Sequence, residues 1–247
     1  YLSTVLRLKT VSLNDYLIFL HKIARRAVKQ RTIKRDPFAG YKLESVPVNH
    51  RYLTGEQFAK LTGVELPTYR LCHARDLFVF STFTGLGRAD LANLTSENIV
   101  TEPDGSRWIH IERQKTKAEC HIKLLDIPSR IIDKYKGEGK DGKLFFVPAT
   151  SSLCRSLKMI EEQCKLGCHL TFYMARHSFA TLICLGNGVP IETISRMMGH
   201  SSIRTTQIYA EITNQKVNRD LLRLADTTKN QYSLPDDKMT PRVYQCG

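Results

Sequence analysis

The chain has 247 residues, 42% of them apolar, so it is large enough for one folded domain or for one domain with part of a second. Its 37 lysines and arginines outnumber its 24 aspartates and glutamates, and the net charge of +13 favours a polyanionic partner. No apolar run approaches the roughly 18 residues of a membrane span, and no signal peptide is visible, which excludes an integral membrane protein and predicts a cytoplasmic one.

Residues 1–30 have the pattern of a basic amphipathic helix. Apolar positions recur at three- and four-residue steps from Leu13 to Ala27, with lysines and arginines on the other side. Residues 31–50 contain two prolines and a glycine and show little periodicity, which predicts a linker. Because the chain starts at Tyr1 inside the helical pattern, we expect it to be part of a longer protein.

A second domain is predicted to begin near residue 51. Thr54 and Gln57 fit a capping box, which marks the start of a helix. The strongly apolar segment Tyr69–Phe83 predicts another helix, and a short helical turn is expected to follow at Arg88–Leu94. The β-prone sequences WIHI and HIKLL then predict a small antiparallel sheet.

The chain from there to residue 226 is predicted to be helical, with breaks at glycines, where helices commonly end. The expected helices are 129–136, 151–166, 171–185, 191–198, 202–212 and 215–226. Residues 227–247 are polar with two prolines and are expected to form an exposed tail. The sequence therefore predicts an α+β fold that is predominantly α-helical, with one small antiparallel β-sheet.

The seven cysteines are odd in number and irregularly spaced, which predicts reduced thiols. Cys164, Cys168 and His169 lie close together, but no second pair of residues with ligand spacing follows them. We therefore expect no metal site and no cofactor.

Residues near the C-terminus have the types needed to break a phosphodiester without a metal. Such an enzyme needs a nucleophile, cations around the non-bridging oxygens and an acid for the leaving oxygen. Arg176, His200 and Tyr209 lie in order along a helix-rich stretch. A phenol with a pKa of about 10 is a weak nucleophile at neutral pH, so the interpretation of Tyr209 depends on the cations beside it.

These residues resemble the tyrosine recombinase (phage-type integrase) family. That family has an Arg-His pair, a Leu-Gly-His turn and a tyrosine nine residues after the second histidine. The matching residues are Arg176-His177, Met198-Gly199-His200 and Tyr209, with Thr84-Gly85-Leu86 similar to the family's Thr-Gly-Leu-Arg turn and Gln114-Lys115-Thr116 similar to its hairpin lysine. The resemblance covers residues 51–222.

The resemblance implies a tyrosine recombinase catalytic-domain fold and a role for each matched side chain. The roles are nucleophile for Tyr209, phosphate binding for Arg176 and His200, protonation of the 5′-oxygen for Lys115, and a supporting position for His177. Lys117 is an alternative to Lys115, because it lies two residues away on the same face of a strand.

Two positions depart from the family pattern. Gly87 stands where the first arginine should follow Leu86, so either Arg88 takes over through a bulged turn that glycine allows, or another arginine reaches in. Tyr173 stands where the family usually has a histidine, one helical turn before Arg176, and a phenol can hydrogen-bond a phosphate but accepts protons poorly at pH 7. In lacking the first arginine, the sequence resembles integrases of Bacteroides-type mobile and conjugative elements.

On this resemblance, residues 1–40 are expected to be the C-terminal part of a helical core-binding domain and residues 41–50 a linker. Residues 51–226 are expected to be the catalytic domain, followed by the tail 227–247. The implied function is a bacterial, cytoplasmic and nucleoid-associated site-specific recombinase of a mobile element, which cuts and rejoins DNA through a 3′-phosphotyrosyl intermediate. Its implied partner is double-stranded DNA at attachment or core sites, with a homotetramer on two duplexes.

Two other functions stay open at this point. Gly87 and Tyr173 motivate a catalytically impaired, recombinase-like DNA-binding protein. A relaxing type IB topoisomerase would use the same chemistry without a defined target site.

Overall fold

The computed structural model describes residues 10–41, 43, 52–114, 116–209, 221–222 and 224–225. The chain divides into two compact units, Tyr1–Asn49 and His50–Gly247. In the first unit, the predicted helix is α1 (Thr10–Lys29). It buries Leu17 and Ala24 of the predicted apolar face, whereas Leu20 of that face is exposed. Among the described residues, no helix is long and apolar enough to cross a membrane.

The second unit is mostly helical. Its helices are α2 (Gly55–Gly63), α3 (Tyr69–Thr84), α4 (Arg88–Asn93), α5 (Asp126–Lys134), α6 (Thr150–Cys164), α7 (Phe172–Ser178), α8 (Ile191–Met198) and α9 (Arg204–Gln207). A π-helical turn continues α7 over Phe179–Cys184, and short 3-10 turns span Ser96–Asn98 and Leu185–Asn187.

One small sheet accompanies these helices. Strands β1 (Ile99–Thr101), β2 (Arg107–Glu112) and β3 (Glu119–Lys123) pair antiparallel in the order β1-β2-β3. Ile109 and Ile122 are paired across β2 and β3, and both are buried on the face that meets the core. The predicted α+β, predominantly helical fold class is confirmed.

Helix α3 is the centre of the core, packed against α5, α6 and α7. Several of its polar residues are buried, and the hydroxyls of Thr82 and Thr84 donate to carbonyls one turn earlier, at Phe78 and Phe80. The helix ends at Gly85, which adopts a left-handed φ of 67°. The core thereby fixes the position of the Gly85 carbonyl, which points into the site described below.

The C-terminal part of the described chain differs from the prediction. In the described part of the expected helix 202–212, only the single turn α9 is helical, and Tyr209 lies in the turn that follows it. Residues 210–212 lie outside the described residues. Most of the expected helix 215–226, and the expected tail 227–247, fall outside the described residues.

Candidate active site

Five of the predicted site residues converge on one cavity of about 620 Å³. Its wall includes Arg88, Tyr173, Arg176, His200 and Tyr209, which come from α4, α7, the turn after α8, and the turn after α9. The chain thus brings together side chains that are up to 121 positions apart in sequence. Within the described residues, no group of three or more His, Cys, Asp or Glu could hold a metal ion.

Arg176 lies between the C-terminal ends of two helices. Its Nη1 donates to the Gly85 carbonyl at 2.6 Å and its Nη2 to the Met198 carbonyl at 2.8 Å. The last carbonyls of a helix have no partner inside the helix, so a guanidinium that spans two such ends joins them. Burial, and next the charge of Arg113, lower the pKa of Arg176. An arginine remains protonated under such conditions, and its charge is available to an anion in the cavity.

His200 follows Gly199, which ends α8 in a left-handed conformation. Its Nε2 lies 2.9 Å from Nη2 of Arg176, and its Nδ1 lies 2.8 Å from Oγ1 of Thr206. Because a guanidinium only donates, Nε2 must accept and Nδ1 carries the proton. Burial, followed by the charges of Arg176 and Arg113, lowers the pKa of His200 to about 4. His200 is therefore a neutral imidazole at pH 7.

Tyr209 is 4% exposed and lies one turn beyond Thr206, to whose carbonyl its amide donates at 3.0 Å. Its ring is 4.9 Å from that of His177 and stacks at 6.3 Å on that of His200. The pKa of Tyr209 is raised to about 12, chiefly by burial and then by Tyr173, while Arg176 opposes the rise. The Tyr209 phenol is therefore protonated at pH 7, next to the neutral His200 ring and the Arg176 cation.

Tyr173 and Arg176 face the same cavity, as their spacing of one helical turn predicts. Tyr173 is 61% exposed, and its hydroxyl is hydrogen-bonded to that of Tyr209. That bond contributes to the raised pKa of Tyr209. His177 is 3% exposed and packs against both tyrosine rings, 4.5 Å from Tyr173. The His177 ring therefore contacts both phenol rings and helps to fix their positions.

The bulged turn at Gly87, one of the two alternatives for the missing arginine, does not form. Gly87 has an ordinary extended conformation, with φ −74° and ψ 163°, and simply precedes the first residue of α4. Arg88 therefore starts a helix, and its Nη2 donates to the Pro148 carbonyl at 3.1 Å at the cavity wall. Among the described residues, the buried Nε of Arg88 has no hydrogen-bond partner.

The hairpin between β2 and β3 is attached to the turn at Gly199, directly before His200. Lys115 itself lies outside the described residues, but Gln114 and Thr116 both line the cavity. The Thr116 hydroxyl donates to the Gly199 carbonyl at 3.1 Å. The alternative residue, Lys117, is paired with Glu112 at 3.2 Å.

Sequence reasoning missed Arg113, which directly follows β2 and is 3% exposed. Its Nη1 pairs with Asp90 at 2.9 Å, and its Nη2 donates to the carbonyls of Met197 and Gly85 at 3.1 and 3.4 Å. An arginine at a strand end beside other charged residues has the pattern of a solvent-exposed hairpin. The only sequence signal was its place two residues before Lys115, which does not distinguish a buried side chain from an exposed one.

The phage integrase family model matches residues 51–216. Among curated relatives, the tyrosine recombinase XerA of Saccharolobus solfataricus is 28% identical over 149 residues, which are 60% of this chain and 49% of the relative. The chain thus spans about half the length of that relative.

Two solved structures share the fold. XerH site-specific recombinase bound to palindromic difH substrate has a TM-score of 0.68 at 18% identity, covering 89% of this chain and 69% of that one. The Tn1549 transposon integrase in complex with transposon right end DNA has a TM-score of 0.66 at 19% identity, covering 88% and 80%. The likeness confirms the predicted catalytic-domain fold.

Proposed function

Since the chain belongs to the phage integrase family, we propose that it is a site-specific DNA recombinase of a mobile genetic element, and that Tyr209 is its nucleophile. The convergence of Tyr209, Arg176 and His200 on one cavity carries the proposal. Arg176 joins two helix ends, and its guanidinium also lines the cavity beside the Tyr209 phenol, where its charge is available to an anion. The arrangement suits a reaction in which a phosphate enters between them.

In the proposed step, the Tyr209 oxygen bonds to phosphorus and the bond from phosphorus to the 5′-oxygen breaks. The phenol loses one proton and the 5′-oxygen gains one, so the step needs no external reagent. The 3′-phosphotyrosyl bond conserves the energy of the phosphodiester, and a 5′-hydroxyl from another strand reverses the step. This balance explains why a recombinase of this kind needs no cofactor.

Each neighbour has a proposed part in this step. Arg176 binds a non-bridging oxygen, where a planar and permanently charged donor suits the pentavalent transition state. His200 donates a second hydrogen bond to the phosphate, and Tyr173 orients the Tyr209 hydroxyl. Lys115 protonates the 5′-oxygen, which is supported by the position of its two neighbours in the cavity wall.

The proposed partner is double-stranded DNA at attachment or core sites, with four protomers on two duplexes in the bacterial nucleoid. The net charge of +13 supports a polyanionic ligand. The similar integrase of Tn1549 is in complex with transposon right end DNA. In having Gly87 in place of the first arginine, this chain resembles integrases of Bacteroides-type elements. Residues 1–40 would form part of a core-binding domain and residues 51–226 the catalytic domain, with a boundary near that between the two compact units.

A pool of nicked DNA duplexes with a randomised central segment tests this function. The protein is incubated with the pool, denatured with detergent, and the DNA that remains covalently attached is sequenced. We expect a shared sequence, and a duplex of that sequence should be rejoined to an added strand with a 5′-hydroxyl. Covalent DNA without any shared sequence would favour a topoisomerase, and a pool that yields no covalent DNA would contradict the proposed chemistry.

The absence of an arginine at Gly87 also favours a second candidate, a DNA-binding protein that has lost cleavage. The double variant Gly87→Arg, Tyr173→His distinguishes the two, because it supplies the side chains that the family usually has at these positions. If only the double variant forms covalent DNA, the natural chain is the binding protein. If the natural chain forms it, the recombinase proposal stands.

A further inference from the structure

The outer face of strands β2 and β3 carries a pair of histidines. His110 and His121 are directly opposite each other in the antiparallel register, and their ring centroids lie 4.4 Å apart with the ring planes at 84°. The neighbouring pair, Ile109 and Ile122, is buried in the core, so the histidines project from the opposite face of the sheet. The sheet therefore holds two imidazoles side by side at its surface.

The hydrogen-bond pattern places these histidines where side chains across a sheet are closest. The amide of Arg113 donates to the carbonyl of Ala118 at 2.9 Å, which marks a hydrogen-bonded pair three positions along the ladder. Because bonded and non-bonded pairs alternate, His110 and His121 form a non-hydrogen-bonded pair, the closer of the two kinds. Within the described residues, their imidazole nitrogens have no hydrogen-bond or ion-pair partner. These nitrogens are available to a ligand.

The two histidines line a groove of about 510 Å³ with an acidic wall. The sheet and the turn between β1 and β2 form it, and its charged lining residues are Glu102 and Asp104. Among the described residues, no lysine or arginine lines it. The nearby Lys123 instead lies over the ring of Trp108, 5.6 Å from its centroid. In a chain with a net charge of +13, such a groove favours a cation over a phosphate.

The distance between the rings fits one metal ion bound by both. A zinc–nitrogen bond is about 2.0–2.1 Å long, so two imidazoles on one ion have their ring centroids about 4.5–5.2 Å apart. The observed separation of 4.4 Å lies just below this range. Rotation of the two side chains is therefore enough to bring a nitrogen of each ring to the ion.

We propose that His110 and His121 form a binding site for a divalent transition-metal ion of the Zn²⁺ type. Imidazole is a preferred ligand of Zn²⁺, Cu²⁺ and Ni²⁺. Two protein ligands are fewer than the three or four of a usual zinc centre, so water completes the coordination. The expectation of no metal site missed this pair because the hairpin brings together residues eleven positions apart.

A bound ion would join β2 to β3 at the base of the hairpin that carries residue 115. His110 lies five positions before that residue and His121 six positions after it. The ion would therefore stabilise the pairing of the two strands that lead to the hairpin tip. The proposal does not rest on the proposed function, because neither histidine has a part in the proposed reaction.

The main alternative is an aromatic pair that only stabilises the sheet. Cross-strand aromatic pairs are favourable in antiparallel sheets, and the angle of 84° suits an edge-to-face contact. The two roles differ in what they predict, because an aromatic pair needs no free nitrogen and is indifferent to metal ions.

The test titrates the full chain, with its thiols reduced, with Zn²⁺ in competition with a chelating dye. His110→Gln and His121→Gln should each weaken one site at least about tenfold, since even an outer partner of a metal ligand usually matters that much. His169→Gln is the matched control, because it removes an exposed histidine that lies 3.4 Å from Glu161 and should leave the site unchanged. All three variants keep the same cysteines, so Zn²⁺ bound by thiols does not distinguish them.

A second measurement uses the natural chain and does not depend on the folding of any variant. In histidine NMR spectra, the imidazole signals of His110 and His121 should shift together as Zn²⁺ is added. The signal of His169 should not follow them.

The proposal is overturned if His110→Gln and His121→Gln bind Zn²⁺ as the natural chain does, or if His169→Gln loses the site instead. It is equally overturned if the signals of His110 and His121 do not move in the natural chain. None of these measurements involves attachment to DNA, so failure here is distinct from failure of the proposed function.

Discussion

Nε2 of His200 accepts a hydrogen bond from Nη2 of Arg176 at 2.9 Å, and this contact fixes the imidazole in the neutral form with its proton on Nδ1. That proton is directed at the buried hydroxyl of Thr206, 2.8 Å away. To donate to a phosphate, His200 must gain a proton on Nε2, either as a cation or by changing tautomer. The Thr206 hydroxyl can donate or accept, so it is compatible with both states.

Thr206 is therefore predicted to matter for catalysis. Thr206→Val keeps the shape but removes the partner of the half-buried His200 at Nδ1, at a cost of about 1–3 kcal/mol. We expect DNA attachment to slow by about tenfold or more, and nitrogen NMR should show that His200 loses its tautomer preference. Thr206→Ser retains the hydroxyl and serves as the matched control. Equal rates for the two variants would show that the hydrogen bond has no part in the reaction.

The pKa of His200 is predicted to be about 4, well below its ordinary value of 6.5. Because the folded state resists protonation, its contribution to stability is complete above pH 6.5 and is lost as the pH falls toward 4. Arg176→Met should raise this pKa, since the charge of Arg176 is, after burial, the second cause of the lowered pKa. Arg130→Met, at an exposed position on α5, is the control and should not change it. An NMR titration in which the two variants behave alike would contradict the electrostatic description.

Gly199 is predicted to be intolerant of any side chain. Its φ is 63°, and a Cβ there would lie 2.5 Å from Sγ of Cys120 and 2.7 Å from Cγ of Arg113. Gly105 has a similar φ of 79° with open space around it, so Gly105→Ala measures the backbone cost alone. In denaturant unfolding, Gly199→Ala should lose about 1–3 kcal/mol more than Gly105→Ala because of the additional clash. Equal losses would mean that the hairpin does not pack tightly against this turn.

DNA affinity is predicted to fall steeply with salt. A net charge of +13 implies that phosphate contacts dominate binding, and each neutralised phosphate releases counterions. Between low and moderate salt we expect a loss of about a hundredfold or more in the association constant. Fluorescence anisotropy with a labelled duplex measures it, and a flat response would contradict an electrostatic DNA interface.

The sequence predicted well those structural features that depend on residues close together in the chain. Thr54 and Gln57 form the expected capping box, with bonds of 3.2 and 3.0 Å between each side chain and the other's backbone. Tyr173 and Arg176 share a face, as one helical turn requires. Both features depend on contacts between residues three or four positions apart, and such contacts can be predicted from the spacing of residue types in the sequence.

Long-range features were less predictable. The bulge at Gly87, one of the two alternatives for the missing arginine, does not form, because that residue only precedes α4 and needs no special conformation. Arg113 was missed because its burial depends on Asp90 and on the end of α8, which lie 23 and 84 positions away. The sequence around Arg113 does not indicate that these distant segments pack against it.

The measurement that tests the central claim most directly is the identity of the tyrosine that becomes attached to DNA. After reaction with the nicked duplex pool, the covalent product is digested and the modified peptide is identified by mass spectrometry. Tyr209→Phe should bind DNA but form no covalent product. Tyr173→Phe removes the other tyrosine of the cavity and should react more slowly, still at Tyr209. A covalent product in Tyr209→Phe, or a modified peptide that contains Tyr173, would contradict the account.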